Sequence, residues 1–227
     1  MAVRKVSNKG GNVIGYFPST KMGCMVAFES TIERDLIYVL EFEPDVKSFA
    51  EQPFAITYIH EGKERTYTPD FQADLANGCS IILECKPQPL VNKPENQLKF
   101  MAGKTWCAQN FANYQVVTDD MLRAGLGLPN IKFLYQFARH SIPANVKNAV
   151  IHEVKVSRTG ISVLEIAEAV TCSEGSNKNL IITAIFQMVF FHELYIDLFA
   201  SPINVNSLIT MDFQRAENNE YAEIFNR

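Results

Sequence analysis

One stretch of the sequence constrains the fold more than any other, because an apolar strand in it ends in charged residues. It reads RTYTPDFQADLANGCSIILECK and spans residues 65–86. The turn signal Asn77-Gly78 between two strand-like runs predicts an antiparallel hairpin. The second strand is apolar enough at residues 81–83 to belong to a core, yet it finishes in the polar run ECK. Charged residues at the exit of a buried strand indicate a site at that end of the sheet.

The length of the turn decides which side chains share a face of the sheet. A two-residue loop would pair Asp70 with Cys85 and leave Glu84 on the opposite face. A three-residue loop of residues 76–78, with its glycine left-handed in a bulge, instead pairs Asp70 with Glu84 and brings Lys86 to the same face. We expect the three-residue loop. The alternative is that these are ordinary polar residues at a strand end.

An acidic residue on the first predicted helix is a candidate third member of this cluster. The run ESTIERDLIYVLEFEP has apolar residues at helical spacing, and Glu33 lies within the apolar stripe. If the helix packs across the strand end, Glu33 joins Asp70 and Glu84 as oxygen ligands suited to Mg²⁺, with Mn²⁺ as a possible substitute. Two alternatives stay open. Glu33 could form a capping box with Ser30, or Glu29 could be the helix ligand instead.

Two further polar residues are candidates for the same site. Lys86 would lie beside the cation, where an ammonium can stabilise developing phosphate charge or orient the attacking water. Gln52 opens a predicted strand in the run EQP and could face the site, although polar residues at strand starts are common. The glycine run GLGLPN lacks the lysine and the context of a phosphate-binding loop, so nucleotide hydrolysis is not expected.

The order of predicted elements divides the chain into three parts. Residues 1–23 hold four Lys and Arg and no acidic residue, which predicts a mobile basic arm. Residues 24–134 read as a helix closed by Pro44, a meander of three strands beginning at Gln52, a second helix and a last strand. This is an α/β core of order αβββαβ. Residues 135–227 contain helices followed by one hairpin, which predicts a winged-helix-like domain.

Charge and cysteine content limit the possible partners and compartments. The formal net charge is -4, so any contact with nucleic acid depends on local patches. Residues 135–227 hold seven Lys and Arg against ten Asp and Glu, which favours a partner protein over DNA for the C-terminal domain. Five cysteines without a CxxC pair indicate a reducing cytosol. No stretch approaches ~18 uninterrupted apolar residues, so we expect no membrane association.

These motifs together resemble a known nuclease core. Glu33 on a helix, Pro69-Asp70, and then Glu84 and Lys86 in LECK, set in αβββαβ order, resemble the PD-(D/E)xK restriction-endonuclease-like fold. Over roughly residues 16–125, the runs FESTIERDLIYVLEFEPDV, EQPFAITY, YTPDF and LECK resemble the TnsA family, the endonuclease subunits of heteromeric bacterial transposases. By this resemblance, the acidic triad and the lysine are Glu33, Asp70, Glu84 and Lys86.

The resemblance implies a specific reaction and specific partners. The protein would be a cytoplasmic bacterial Mg²⁺-dependent endonuclease that hydrolyses the 5′ (non-transferred) strand at transposon ends during cut-and-paste transposition. Its partners would be double-stranded DNA, a transposase of the TnsB type that cuts the 3′ strand, and an AAA+ ATPase regulator of the TnsC type. The alternatives are another nuclease on this core, such as a restriction enzyme or junction resolvase, and a non-catalytic assembly adaptor. The complete acidic and lysine set argues against the adaptor.

Overall fold

A computed structural model describes residues 13–157, 160–175, 177–211 and 221–225. These residues fall into two compact units. The first contains the described residues up to Ala124 together with 221–225, and the second begins at Gly125. Among the described residues, no helix is both long enough and apolar enough to cross a membrane.

The first unit begins with two antiparallel strands and a helix. They are β1 (Gly15–Pro18), β2 (Met25–Phe28) and α1 (Thr31–Phe42). Between the strands, Lys21 Nζ donates to the backbone oxygens of Leu40 and Glu43, each at 2.7 Å. A cation at this position suits the negative end of the helix dipole. The predicted arm over residues 1–23 is therefore packed from β1 onward, and residues 1–12 lie outside the described part of the chain.

Helix α1 has the amphipathic pattern that the sequence predicts. Its apolar stripe is fully buried and includes Leu36, Ile37 and Leu40. Ser30 is the N-cap, and its hydroxyl oxygen accepts a hydrogen bond from Glu33 N–H at 3.1 Å. The helix ends at Phe42, just before Pro44, as predicted. The buried stripe anchors the first turn of α1, and with it Glu33, against the sheet.

A four-stranded mixed sheet lies at the centre of this unit. The strands after α1 are β3 (Val46–Glu51), β4 (Ile56–His60), β5 (Lys63–Tyr67), β6 (Phe71–Leu75), β7 (Ser80–Lys86) and β8 (Asn113–Thr118). The sheet has the order β3-β6-β7-β8, antiparallel except for the parallel pair β7 and β8. Strands β4 and β5 pair with each other in a separate sheet. The αβββαβ order is thus present, with a hairpin inserted after its first strand.

The sequence prediction was wrong about the first strand of the meander. It began the meander at Gln52, whereas the first strand of the sheet is β3, which ends at Glu51. The run that continues from β5 is interrupted by Pro69, which has no N–H to donate to a ladder. Because of this break, β5 stays with β4, and β6 pairs with β3.

Helices on either side of β8 complete the first unit. They are α2 (Pro94–Gln109) and α3 (Asp119–Arg123), with 3₁₀ turns at Gln88–Leu90 and Ala222–Phe225. Helix α2 is the crossover that parallel strands require between β7 and β8. It approaches the sheet at Gly103, where an added Cβ would overlap the ring of Tyr114 and the hydroxyl of Tyr67. A larger residue at position 103 would therefore force these two tyrosine side chains to move.

The second unit consists mainly of helices. Its elements are α4 (Gly127–Tyr135), α5 (Ala144–Val156), β9 (Ile161–Ser162), α6 (Val163–Glu174), α7 (Lys178–Phe190) and β10 (Leu208–Ile209). Helix α4 packs on α7, with the rings of Phe133 and Phe186 centred 5.0 Å apart. Because α4 buries its apolar face in this unit, the unit begins at Gly125 rather than at the predicted residue 135.

The predicted C-terminal hairpin is much shorter than expected. Within the described residues, its two halves meet in a single antiparallel bridge between Tyr195 and Thr210. Strand β10 pairs instead with β9, and Leu208 lies opposite Ser162. Strand β9 precedes α6 in the chain, so no local pattern could reveal this pairing. The winged-helix interpretation is not confirmed by these contacts and stays a prediction.

Candidate active site

The hairpin of β6 and β7 has the register that a three-residue turn predicts. Phe71 lies opposite Leu83, and Gly78 is left-handed with a φ of 86°. Continued by one residue, this register places Asp70 opposite Glu84. Residues directly opposite in an antiparallel pair point to the same face of the sheet. The prediction of the three-residue turn is confirmed, and the register continued by one residue is the one predicted for Asp70 and Glu84.

Asp70 carries a carboxylate that is poorly solvated. Its Oδ2 accepts a hydrogen bond from Cys85 N–H at 2.7 Å. Burial raises the pKa of Asp70 well above its ordinary value, and the negative charge of Glu84 raises it further, whereas Lys86 opposes the shift. Two carboxylates this close do not both ionise readily without a compensating cation.

Glu84 and Lys86 form an ion pair at the end of β7. Lys86 Nζ lies 3.2 Å from Glu84 Oε1, and Glu84 is only 4% exposed. Burial raises the pKa of Glu84, although Lys86 offsets part of the effect. The other oxygen, Oε2, is buried without a hydrogen-bond partner among the described residues. Lys86 therefore compensates only part of the negative charge of Glu84 and Asp70.

Glu33 lies near these residues while it also caps its own helix. Its Oε1 accepts a hydrogen bond from the Ser30 hydroxyl at 2.8 Å, and its Oε2 accepts one from Glu29 N–H at 2.7 Å. Burial raises the pKa of Glu33 to about 7, and the charge of Asp70 is the next contribution. Glu33 therefore bonds the N-terminal cap of α1, although through the Ser30 hydroxyl and Glu29 N–H rather than through the Ser30 N–H of a full capping box, and its charge also interacts with that of Asp70.

The side chains are close but not arranged as a finished metal site. In the part of the chain that the structure describes, no three His, Cys, Asp or Glu residues meet the geometry of a metal site. Each carboxylate is turned toward a protein donor, namely Cys85 N–H, Lys86 or the α1 cap. The donor chemistry nevertheless fits a hard divalent cation, because Glu84 Oε2 is a buried oxygen without a partner among the described residues and the charges of Glu84 and Asp70, and of Glu33 and Glu84, repel each other.

A comparison with family models identifies the domain that carries this site. Residues 43–119 match the model of the TnsA-like endonuclease N-terminal domain. The chain carries a TnsA-like endonuclease domain. The match includes Asp70, Glu84 and Lys86, whereas Glu33 lies ahead of it, and it confirms the resemblance seen in the sequence. No curated protein matches the chain.

Sequence reasoning missed a lysine that faces this TnsA-like site. Lys99 on α2 lies close enough to Glu84 for its positive charge to lower the pKa of that carboxyl. A signal for it exists, because Lys99 precedes Gly103 by one helical turn, so both lie on the face of α2 that approaches the sheet. Lys99 is thus a second cation near the carboxylates of the domain.

A tyrosine pair beside the site was also missed. The hydroxyls of Tyr67 and Tyr114 are 3.5 Å apart. Burial raises the pKa of Tyr67 and of Tyr114 above the usual range, and the negative charge of Glu84 adds to both shifts. Neither phenol ionises at physiological pH, so both hydroxyls stay neutral. No sequence pattern marks them, since each is an ordinary strand residue.

Proposed function

We propose that this chain is the DNA-cutting subunit of a heteromeric bacterial transposase. It hydrolyses the 5′ strand at transposon ends with Mg²⁺ as the cofactor. The observation that carries the proposal is the register that brings Asp70, the residue before β6, opposite Glu84 of β7, with Lys86 beside Glu84, inside a TnsA-like endonuclease domain. The endonuclease type of the domain comes from the family match, and the choice of strand and cofactor is our inference.

Asp70 and Glu84 would hold the cation, and Glu33 would complete the set. A divalent cation supplies Lewis-acid polarisation of the phosphate and lowers the pKa of bound water. Glu84 Oε2 is available because no protein donor occupies it among the described residues. Glu33 must exchange at least one of its bonds in the α1 cap to take part. The raised pKa values of the carboxylates favour cation uptake, since a cation relieves their repulsion.

Lys86 serves as a fixed positive charge rather than as a base. Burial lowers the pKa of Lys86, but the charges of Glu84 and Asp70 outweigh it, and the net pKa is above the ordinary value. The ammonium therefore stays protonated at physiological pH. In this state it stabilises the negative charge that develops on a scissile phosphate.

The second unit binds a partner protein in this proposal. We assign this unit the winged-helix role that its sequence pattern predicts, and the support is the combination of helices α5, α6 and α7 with the short β9–β10 pair. The excess of acidic residues in this part of the chain opposes phosphate binding. A transposase of the TnsB type or an ATPase of the TnsC type is the expected partner.

The test is cleavage of a 5′-labelled transposon-end duplex by the full chain with its partner proteins and Mg²⁺. We expect Asp70→Ala to abolish cutting of the 5′ strand. Asp74→Ala is the matched control, because Asp74 lies in β6, the strand that directly follows Asp70 in the chain, but is held by Ser48, Gln72 and Ser80. Cutting by Asp70→Ala at the wild-type rate would refute the proposal. Vigorous cutting of naked DNA without partners would favour an autonomous nuclease instead.

A further inference from the structure

Gln52 has an unusual backbone conformation directly beside the site. Its φ is 44°, in the left-handed region that few residues other than glycine adopt. The other described non-glycine residues with positive φ are Glu61, Phe111 and His192, and like Gln52 they follow the ends of strands or helices. Gln52 also precedes Pro53, a position that favours extended backbone. Such conformations persist where the surroundings hold them, and they concentrate at functional sites.

The register of the sheet places Gln52 in line with the two central carboxylates. Glu51 lies opposite Phe71 in the β3–β6 pair, so the next pair is Gln52 and Asp70. Gln52 N–H donates to the Asp70 backbone oxygen at 2.8 Å, which confirms this pairing. Asp70 is in turn opposite Glu84. One row across three strands therefore reads Gln52, Asp70, Glu84.

The two ends of this row share a chemical property. Gln52 Oε1 and Glu84 Oε2 are both buried acceptors without a hydrogen-bond partner among the described residues. Buried polar atoms in proteins are nearly always partnered, and an exception calls for a ligand or water. Two such oxygens on either side of Asp70 call for a donor or a cation from outside the chain.

We propose that Gln52 binds the hydrated divalent cation of this site through its amide oxygen, alongside Asp70 and Glu84. The inference rests on the proposed function, because it assigns one more residue to the same cation. Amide oxygens are common ligands of hard cations. A neutral ligand adds an oxygen without adding to the repulsion between the carboxylates. The left-handed backbone of Gln52 costs free energy, and in this proposal it directs the Gln52 side chain toward Asp70 and Glu84.

The experiment measures Mn²⁺ binding to the full chain from the electron paramagnetic resonance signal of free Mn²⁺. Gln52→Met keeps the length of the side chain and removes its amide, and we expect the affinity for Mn²⁺ to fall about tenfold. Gln52→Glu keeps an oxygen and should bind at least as tightly as wild type. Gln72→Met is the control, since the amide of Gln72 is bonded to Asp74. Its affinity for Mn²⁺ should be unchanged.

A second variant separates cation binding from folding. Gln52→Gly removes the amide and relieves the left-handed strain, so its melting temperature without metal should equal or exceed that of wild type. Its affinity for Mn²⁺ should fall as in Gln52→Met. Wild-type affinity in both variants would overturn the role of Gln52, while loss of binding in Asp70→Ala would still support the proposed function. Failure of wild type to bind Mn²⁺ saturably would overturn both.

Discussion

Asp70, the residue before β6, lies opposite Glu84 of β7, one residue beyond the Phe71–Leu83 pair, and both have raised pKa values. Asp74 is the contrasting case. Burial raises the pKa of Asp74, but hydrogen bonds from Gln72, Ser80 and Ser48 outweigh it, and the net pKa is lowered. The surroundings thus stabilise the carboxylate of Asp74, within β6, and destabilise that of Asp70, which directly precedes β6. The destabilised one is the one we assign to catalysis.

Neutralising these two aspartates should change stability in opposite directions. Asp70→Asn removes repulsion and keeps an acceptor for Cys85 N–H, so without metal its free energy of unfolding at pH 7.5 should equal or exceed that of wild type. Asp74→Asn weakens charge-assisted hydrogen bonds and should cost about 1 kcal/mol. Urea denaturation of both variants measures the difference. Equal losses in the two variants would mean that Asp70 is a scaffold residue.

Stability without metal should fall as the pH rises from about 4.5 to about 7. The pKa of Glu33 moves from 4.5 to about 7 on folding, so within this window the unfolded chain loses its proton first. Below this window Glu33 is protonated in both the folded and the unfolded state, and above it Glu33 is ionised in both. The loss of stability that Glu33 causes is therefore complete near pH 7. The full shift corresponds to roughly 3 kcal/mol at most.

Glu33→Gln isolates this contribution. Denaturation curves at pH 5 and pH 8 should show a smaller difference for the variant than for wild type. Asp70 and Glu84 titrate in the same direction, so part of the dependence should persist. Saturating Mg²⁺ should stabilise wild type more at pH 8 than at pH 5, because protons compete with the cation. A pH dependence unchanged by Glu33→Gln would contradict the shifted pKa.

Lys99 should contribute to DNA cleavage through its charge. Lys99→Met removes a cation near Glu84, and we expect cleavage of the transposon-end duplex to fall about tenfold, equivalent to about 1.4 kcal/mol. Lys104→Met on the same helix is the control, because Lys104 is exposed and lies on a different face of α2 from Lys99. Lys99→Arg should restore most of the rate. Equal rates in the two methionine variants would remove Lys99 from the site.

Gly103→Ala should lower the stability of the protein. The added Cβ of Gly103→Ala would overlap Tyr67 and Tyr114, and overpacking of this kind costs about 1–3 kcal/mol. The higher helix propensity of alanine offsets up to about 1 kcal/mol of that cost. Thermal denaturation should therefore show a net loss of stability. Lys104→Ala, on the exposed side of α2, should stay within about 0.5 kcal/mol of wild type.

Features that depend on neighbouring residues were predictable. The sequence alone determined the bounds of α1, because an N-cap serine and a closing proline flank an apolar stripe. It also determined the pairing of Asp70 with Glu84, because the length of a hairpin turn specifies the register of its strands. The acidic residues and the lysine of the candidate site follow from these two local rules and from the resemblance of their motifs.

Features that depend on distant residues were decided by the tertiary structure. Strand β3 takes the place of the predicted first strand because it pairs with β6 across an inserted hairpin. That pairing puts Gln52 in line with Asp70, and the packing of α2 at Gly103 brings Lys99 to Glu84. Local propensity does not determine which strands that are distant in the sequence pair with each other. The free energy that favours one pairing comes from the apolar surface that the paired strands bury together. The carboxylates were therefore readable from the sequence, and the residues around them were not.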